Sequence, residues 1–359
     1  MLRQKGNSRQ ADIAVTRRDL FLRHLAKACL AIALGLAGTF SAAVAAQARS
    51  YHHYVEGNLA GTAPDKVSGG LLLMGGGDRN LDAMRWFFAK AGHGHIVILR
   101  ATQQGQIGKE FYREVGGILS AETFVTRDRS AADDARLQDA LRHADGIFLS
   151  GGDQGNYVRR WKGTPIAAII DAHVAAGKPL GGTSAGLAML GEKLYGCMDG
   201  ISQTSGPALA APFGPSNTIE DDFLHLALLK GVITDTHFKE RDRLGRLFAF
   251  VAKAQVGWPG DRKPLIGLGV DESASLAVEP DGSARIFATA PDGGAWLVQG
   301  DALRLPVTSG PLDVAGIRVI GIGHASRLFL PEGRVENPAF VRDYAVSKGV
   351  MQRPVDVVG

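Results

Sequence analysis

Between residues 67 and 270 the chain alternates short, wholly apolar runs with longer stretches in which apolar residues recur at helical spacing. The short runs at 71–74, 95–99, 146–149, 179–182, 231–234 and 265–270 carry almost no polar residue. They predict strands buried on both faces, as in a mostly parallel sheet covered by helices on either side. Between them, residues 130–143 place Ala131, Ala135, Leu137 and Leu141 near one helical face, and Thr164 before Pro165 reads as an N-cap followed by proline at the first helical position.

Past Val270 the pattern changes. Residues 275–279, the turn Pro280-Asp281-Gly282 and residues 285–289 predict a β-hairpin, with further short strands near Trp296 and Arg318. The expected architecture is therefore α/β, mostly parallel, with a β-rich C-terminal extension. We expect an extended lead-in over 49–66, one catalytic domain over 67–330, and a tail over 331–359. The segment 194–222, with Pro207, Pro212 and Pro215, predicts a long loop insertion. No internal repeat is present.

Composition changes this picture mainly at the N-terminus. A hydrophobic content of 45% over 359 residues supports a large core and excludes a disordered chain. The formal charge of +4 suggests a basic protein, but seven basic residues stand against two acidic ones before residue 47. Without that segment the chain is close to neutral, which argues against a nucleic-acid partner. The segment itself has a basic start, an apolar run over 29–40 and small residues over 41–48. Arg17-Arg18 just ahead of the apolar run marks a twin-arginine export signal, handled by the translocation machinery and then removed. The apolar run is shorter than the roughly 20 residues a membrane span needs, so no stable anchor is expected. A periplasmic or secreted location follows. Processing removes Cys29 and leaves Cys197 alone, so no intramolecular disulfide is expected.

Chemistry concentrates at the ends of the apolar runs. Gly182-Thr183-Ser184-Ala185-Gly186 follows a predicted strand and precedes an apolar helix, the arrangement of a nucleophile elbow that projects Ser184 from a tight turn. A glycine-rich turn with an incidental serine is the plainer alternative. A second glycine loop, Ser150-Gly151-Gly152-Asp153-Gln154, follows the strand at 146–149 and lies at the same predicted sheet edge, where α/β sheets place their sites. The N–H groups of Gly151 and Gly152 supply one side of an oxyanion hole and that of Ala185 the other. The loop Gly75-Gly76-Gly77-Asp78 lines the same crevice and lacks the lysine of a phosphate-binding loop. His237 closes the strand at 231–234 and serves as base, and Glu272 follows the strand at 265–270 as its carboxylate partner. Taken singly, His237 reads equally well as a structural histidine and Glu272 as a solvated loop residue. His52 and His53 lack convergent ligands, and no metal or cofactor is expected.

As a set these motifs resemble the cyanophycinases and the related aspartyl dipeptidases. Gly181-Gly182-Thr183-Ser184-Ala185-Gly186, Ser150-Gly151-Gly152-Asp153-Gln154, Asp235-Thr236-His237-Phe238 with the arginines after it, and Gly269-Val270-Asp271-Glu272 match that pattern in order. The likeness runs from Val67 to about Leu330. It implies a flavodoxin-like fold of the class I glutamine amidotransferase type, with Ser184, His237 and Glu272 as the triad. It also implies a pocket shaped by Asp153, Gln154, Asp235, Thr236, Arg241, Arg243 and Arg246. The implied substrate is cyanophycin, a polyaspartate with arginine on each β-carboxyl, released as β-aspartyl-arginine. Arginine forks suit such carboxylates, whereas Glu240 and Asp242 make a solvated charged face the ordinary alternative. Thr236 departs from the family, which usually carries glutamine there, and this bears on the substrate. Oligomeric state is left open, a homodimer included.

Two rivals remain at this level. An esterase of the α/β-hydrolase kind would use Ser184, Asp271 and His324 in that order. A non-catalytic binding protein would keep the fold without turnover.

Overall fold

The computed structural model describes residues 50–102, 105 and 107–357. The proposed signal, residues 1–48, lies outside them.

The apolar runs become strands because helices seal both faces. β1 (Tyr51–Gly57), β2 (Gly70–Met74), β3 (His95–Arg100), β4 (Ser120–Thr126), β5 (Gly146–Leu149) and β6 (Pro179–Thr183) open the fold. β4, β3, β5, β6 and β2 lie side by side in that order and all run parallel. Successive side chains leave each strand in opposite directions, so every strand feeds two cores. Leu72, Met74, Ile96, Ile98 and Phe148 pack beneath Met84, Phe87 and Phe88 of the helix Leu81–Lys90. Leu73, Leu99, Ile147 and Leu149 face Tyr157, Trp161, Ile166 and Ile170 from the helices Gln154–Trp161 and Pro165–Ala175. The second of these begins at Thr164 with Pro165 inside its first turn, as the sequence predicts.

Strands β7 (Leu194–Tyr195), β8 (Ile219–Glu220), β9 (Val232–Asp235), β10 (Ile266–Val270), β11 (Ala274–Val278) and β12 (Ser283–Ala288) follow. The predicted hairpin is β11–β12, and it joins the first sheet through an antiparallel pairing of β11 with β2. β15 (Arg327–Phe329) and β16 (Arg334–Glu336) extend that sheet to ten strands. β9 and β10 instead pair parallel in a second sheet, continued by β13 (Ala295–Gln299), β14 (Val314–Ile322) and β17 (Phe340–Ser347). This sheet carries its own cluster, with Leu247, Phe248 and Val251 of the helix Leu244–Ala254 packed near Phe238, Leu265 and Val298.

Four expectations are corrected. The lead-in 49–66 is in part a strand, since β1 pairs antiparallel with β4 along its length. The segment 194–222 is not a plain loop: β7 pairs with β8, and Ser205–Ala210 is helical with Ala208 and Leu209 buried. The tail 331–359 supplies β16 and β17, because strand β17 buries Tyr344 and Val346 against the second cluster. Residues 129–143 also form two pieces, because Asp134 ends a short 3₁₀ turn and caps the helix Ala135–His143 by accepting from Leu137 N.

Candidate active site

The site lies where the two sheets meet, and β2 organises it. Three successive carbonyls, from the last residue of β2 onward, each anchor a different chain segment. Met74 O accepts from Ser184 N at 3.1 Å, Gly75 O from His237 N at 2.8 Å, and Gly76 O from Ser273 N at 2.8 Å. The elbow from the first sheet and the loops after β9 and β10 from the second are thereby held to one short backbone stretch.

Ser184 has φ 52° and ψ −121°, a conformation that costs an L residue on the order of 1–3 kcal/mol. The strain turns its hydroxyl out of the strand. Small neighbours are required: a Cβ on Gly182 would sit 2.6 Å from Gly186 O, and one on Gly186 2.6 Å from Leu149 C. Ser184 Oγ lies 2.7 Å from His237 Nε2, and His237 Nδ1 makes a short hydrogen bond to Glu272 Oε1. His237 is itself held at φ 46°. Burial lowers its pKa, Glu272 opposes that shift, and the charges of Arg241 and Arg243 reinforce it. Burial pushes Glu272 upward, but the hydrogen bond and charge of His237, together with Arg241, outweigh it and hold the carboxyl below its ordinary range. The arrangement at neutral pH is thus a neutral imidazole between a hydroxyl and a carboxylate, which suffices to draw a proton from the serine.

Gly151 adjoins the nucleophile, since a Cβ there would lie 3.7 Å from Ser184 Oγ. Among the described residues, the N–H groups of Gly151, Gly152 and Ala185 have no protein acceptor. They remain available to an oxyanion beside Ser184. Asp153 caps the helix Gln154–Trp161 through Gly155 N, and Gln154 points its amide toward Tyr195 O at 3.5 Å.

The charged residues after β9 divide. Arg241 is exposed, 3.5 Å from Glu272 Oε1 at the mouth of the crevice. Arg246, expected to face a ligand, is instead 2% exposed, with its Nε on Asp235 Oδ2 at 2.8 Å and a second bond to Oδ1. Its remaining nitrogen donates to Gln203 O. Arg246 and Asp235 form a buried ion pair, since a bidentate guanidinium–carboxylate pair satisfies both groups away from water. Arg243 is also buried and donates to Thr236 O at 2.8 Å and Thr236 Oγ1 at 3.2 Å. Burial pulls its pKa down to about 10 against the charge of Asp235.

The esterase arrangement is not assembled. His324 is exposed, and its ring nitrogen lies 3.5 Å from Ala290 O rather than on Asp271 or Ser184. Asp271 is buried and accepts from Lys239 N, Trp296 Nε1 and Gly294 N. Burial and the charge of Glu240 raise it to about 6 despite those donors. His53 pairs with Glu122 at 2.7 Å, far along the chain from the site. Cys197 is buried and free.

The sequence leaves the roles of several contributors unassigned. Gly76 lies flat against the imidazole, where a Cβ would come 2.6 Å from His237 Nε2. Thr102 Oγ1 accepts from Asp153 N at 2.7 Å and props the Gly151–Gly152 loop. Glu240 accepts from Glu272 N at 2.9 Å. Tyr195 stacks on Phe250 at 4.4 Å, and its hydroxyl bonds Ile201 O and Gln203 N, which holds the 201–203 stretch over Arg246. Of these only the triple glycine carried a signal in sequence.

Comparison with known proteins identifies the family. The model of peptidase family S51 matches residues 98–282, a span holding Ser184, His237 and Glu272. The chain is 30% identical over 234 residues to a cyanophycinase of Trichormus variabilis, covering 62% of this chain and 72% of that protein. It is 26% identical over 280 residues to a cyanophycinase of Geminocystis herdmanii, covering 75% of this chain and 91% of the relative. The crystal structure of a peptidase from an acI-B1 Actinobacterium shares the fold, with a TM-score of 0.51 at 15% identity over 74% of this chain and 99% of that one. The chain belongs to peptidase family S51 and is a serine-type peptidase similar to the cyanophycinases.

Proposed function

We propose that this peptidase is exported by its twin-arginine segment and cleaves an aspartate-rich polymer of the cyanophycin type, with Ser184, His237 and Glu272 as its catalytic triad. The observation that carries the catalytic reading is the continuous contact from Ser184 Oγ through His237 to Glu272 on a left-handed elbow. Ser184 Oγ attacks a backbone carbonyl next to aspartate while His237 Nε2 takes its proton. The developing oxyanion is met by N–H groups of Gly151, Gly152 and Ala185. His237 returns the proton to the leaving amine, and water then hydrolyses the acyl-enzyme by the same proton route in reverse. Glu272 keeps the imidazole in the tautomer that leaves Nε2 free to accept. Arg241, and Arg243 behind Thr236, supply the positive field for substrate carboxylates, with Gln154 on the opposite wall. The matched relatives named cyanophycinase support this substrate.

The test is incubation of purified protein, freed of residues 1–48, with cyanophycin, short aspartyl peptides and simple esters, followed by mass analysis. Release of β-aspartyl-arginine units from the polymer is expected. Cleavage of esters or short peptides alone would set the polymer aside as substrate.

A further inference from the structure

One strand away from the oxyanion loop, the C-terminal ends of β3 and β4 open a pocket of about 220 Å³ that the catalytic arrangement does not use. Its lining includes His52, Thr102, Thr126, Arg127 and Arg160. Thr102 joins the pocket to the site, since its Oγ1 accepts from Asp153 N and a Cβ on Gly152 would lie 3.0 Å from its Cβ. The line from Ser184 over Gly151 and Gly152 to Thr102 spans on the order of 10 Å, about three residues of extended chain.

The corner is positively charged for a specific reason. Arg160 donates to the carbonyls of Ala101 and Thr126, and Arg129 to those of Arg159 and Lys162. Carbonyls hold these guanidinium groups in place without cancelling their charge. Arg127 is exposed and has no hydrogen bond or ion pair among the described residues. The nearby acids are Asp128, which caps Ser130, and Asp153, which caps Gly155 and lies 3.7 Å from Arg159. Of these arginines Arg127 and Arg160 line the pocket, and among the described residues no carboxylate does.

We propose that this pocket is a second binding site, which takes a free carboxylate of the same aspartate-rich chain, such as that of an arginine branch, about three residues from the scissile bond, with Arg127 as its main free cation. The proposal rests on the aspartate-rich polymer reading above. Its consequence is that the enzyme grips a long chain at two points and a short one at a single point, which lengthens residence on polymer.

Binding is tested apart from turnover by titrating the Ser184→Ala protein with poly-L-aspartate. Adding Arg127→Glu should weaken binding about tenfold and reduce the salt dependence of the affinity, since one ionic contact is lost. In the Ser184-intact enzyme the same substitution should raise KM for cyanophycin by a similar factor, while kcat stays within about twofold. An unchanged Kd for poly-L-aspartate overturns the site. A single-stranded oligonucleotide that binds as tightly and is weakened equally also overturns it, since the corner would then be a cationic patch without selectivity. Failure of the unsubstituted enzyme to cut cyanophycin would instead strike the substrate reading, and the poly-L-aspartate titration would still decide the pocket.

Discussion

At Ser184 a single backbone conformation governs the chemistry, and the residues that permit it are mostly glycines. Gly76 is the most exacting of them, because it is pressed flat against the His237 ring. Gly76→Ala should leave the fold intact and displace the imidazole, lowering kcat by about 10²-fold or more; steady-state kinetics beside a circular dichroism spectrum checks this. The same burial that seats His237 holds its pKa below the ordinary value near 6.5. With the neutral ring as the proposed base, the acid limb of kcat/KM should have its midpoint below about 6.5. The sign for stability agrees: the unfolded chain takes up the proton first, so stability is lost as pH falls from about 6.5 through the folded pKa. A pH–rate profile with an acid midpoint above 7 would contradict the assignment of the base.

At the scale of elements, the loop after β9 is held from behind by the ion pair between Asp235 and Arg246. Arg246→Met leaves the buried Asp235 carboxylate with only the longer 3.7 Å contact to Arg243 and should cost about 3 kcal/mol, read by urea denaturation. Pairing it with Asp235→Leu should restore much of that loss, because two apolar groups replace two charges. These elements also show how far sequence goes. The elbow, the glycine loop after β5 and the ends of β9 and β10 are marked by composition alone, since each is a sharp change from buried apolar residues to small or polar ones. The direction of a long side chain is not marked that way. Arg241, Arg243 and Arg246 look alike in the chain, and only packing of the helix Leu244–Ala254 against β9 turns Arg246 inward. β1 escapes detection because Tyr51-His52-His53-Tyr54 carries no apolar alternation, its partner β4 being what fixes it. The split into two sheets is equally hidden, since β9 and β10 have the same apolar character as β5 and β6 and differ only in their neighbours.

For the whole molecule, the first sheet carries the proposed nucleophile and oxyanion loop, the loops after β9 and β10 of the second carry the proposed base and its carboxylate, and β2 is the seam between them. Stability therefore bears on catalysis directly, because any loosening of one sheet against the other separates Ser184 from His237. No helix among the described residues is long and apolar enough to cross a membrane. The proposed export would reside in residues 1–48, with the paired arginines as its address. A reporter fused behind residues 1–48 should reach the periplasm of a bacterial host, and Arg17→Lys with Arg18→Lys should retain it inside; equal export of both fusions would remove the twin-arginine reading.

The measurement that bears most directly on the triad is intact-mass analysis after treatment with a fluorophosphonate, which forms a stable adduct only with an activated serine. One adduct, mapped to Ser184 by peptide sequencing and abolished in both Ser184→Ala and His237→Ala, is the predicted result. An unlabelled Ser184 in folded protein, or labelling that persists when His237 is replaced, would contradict the account.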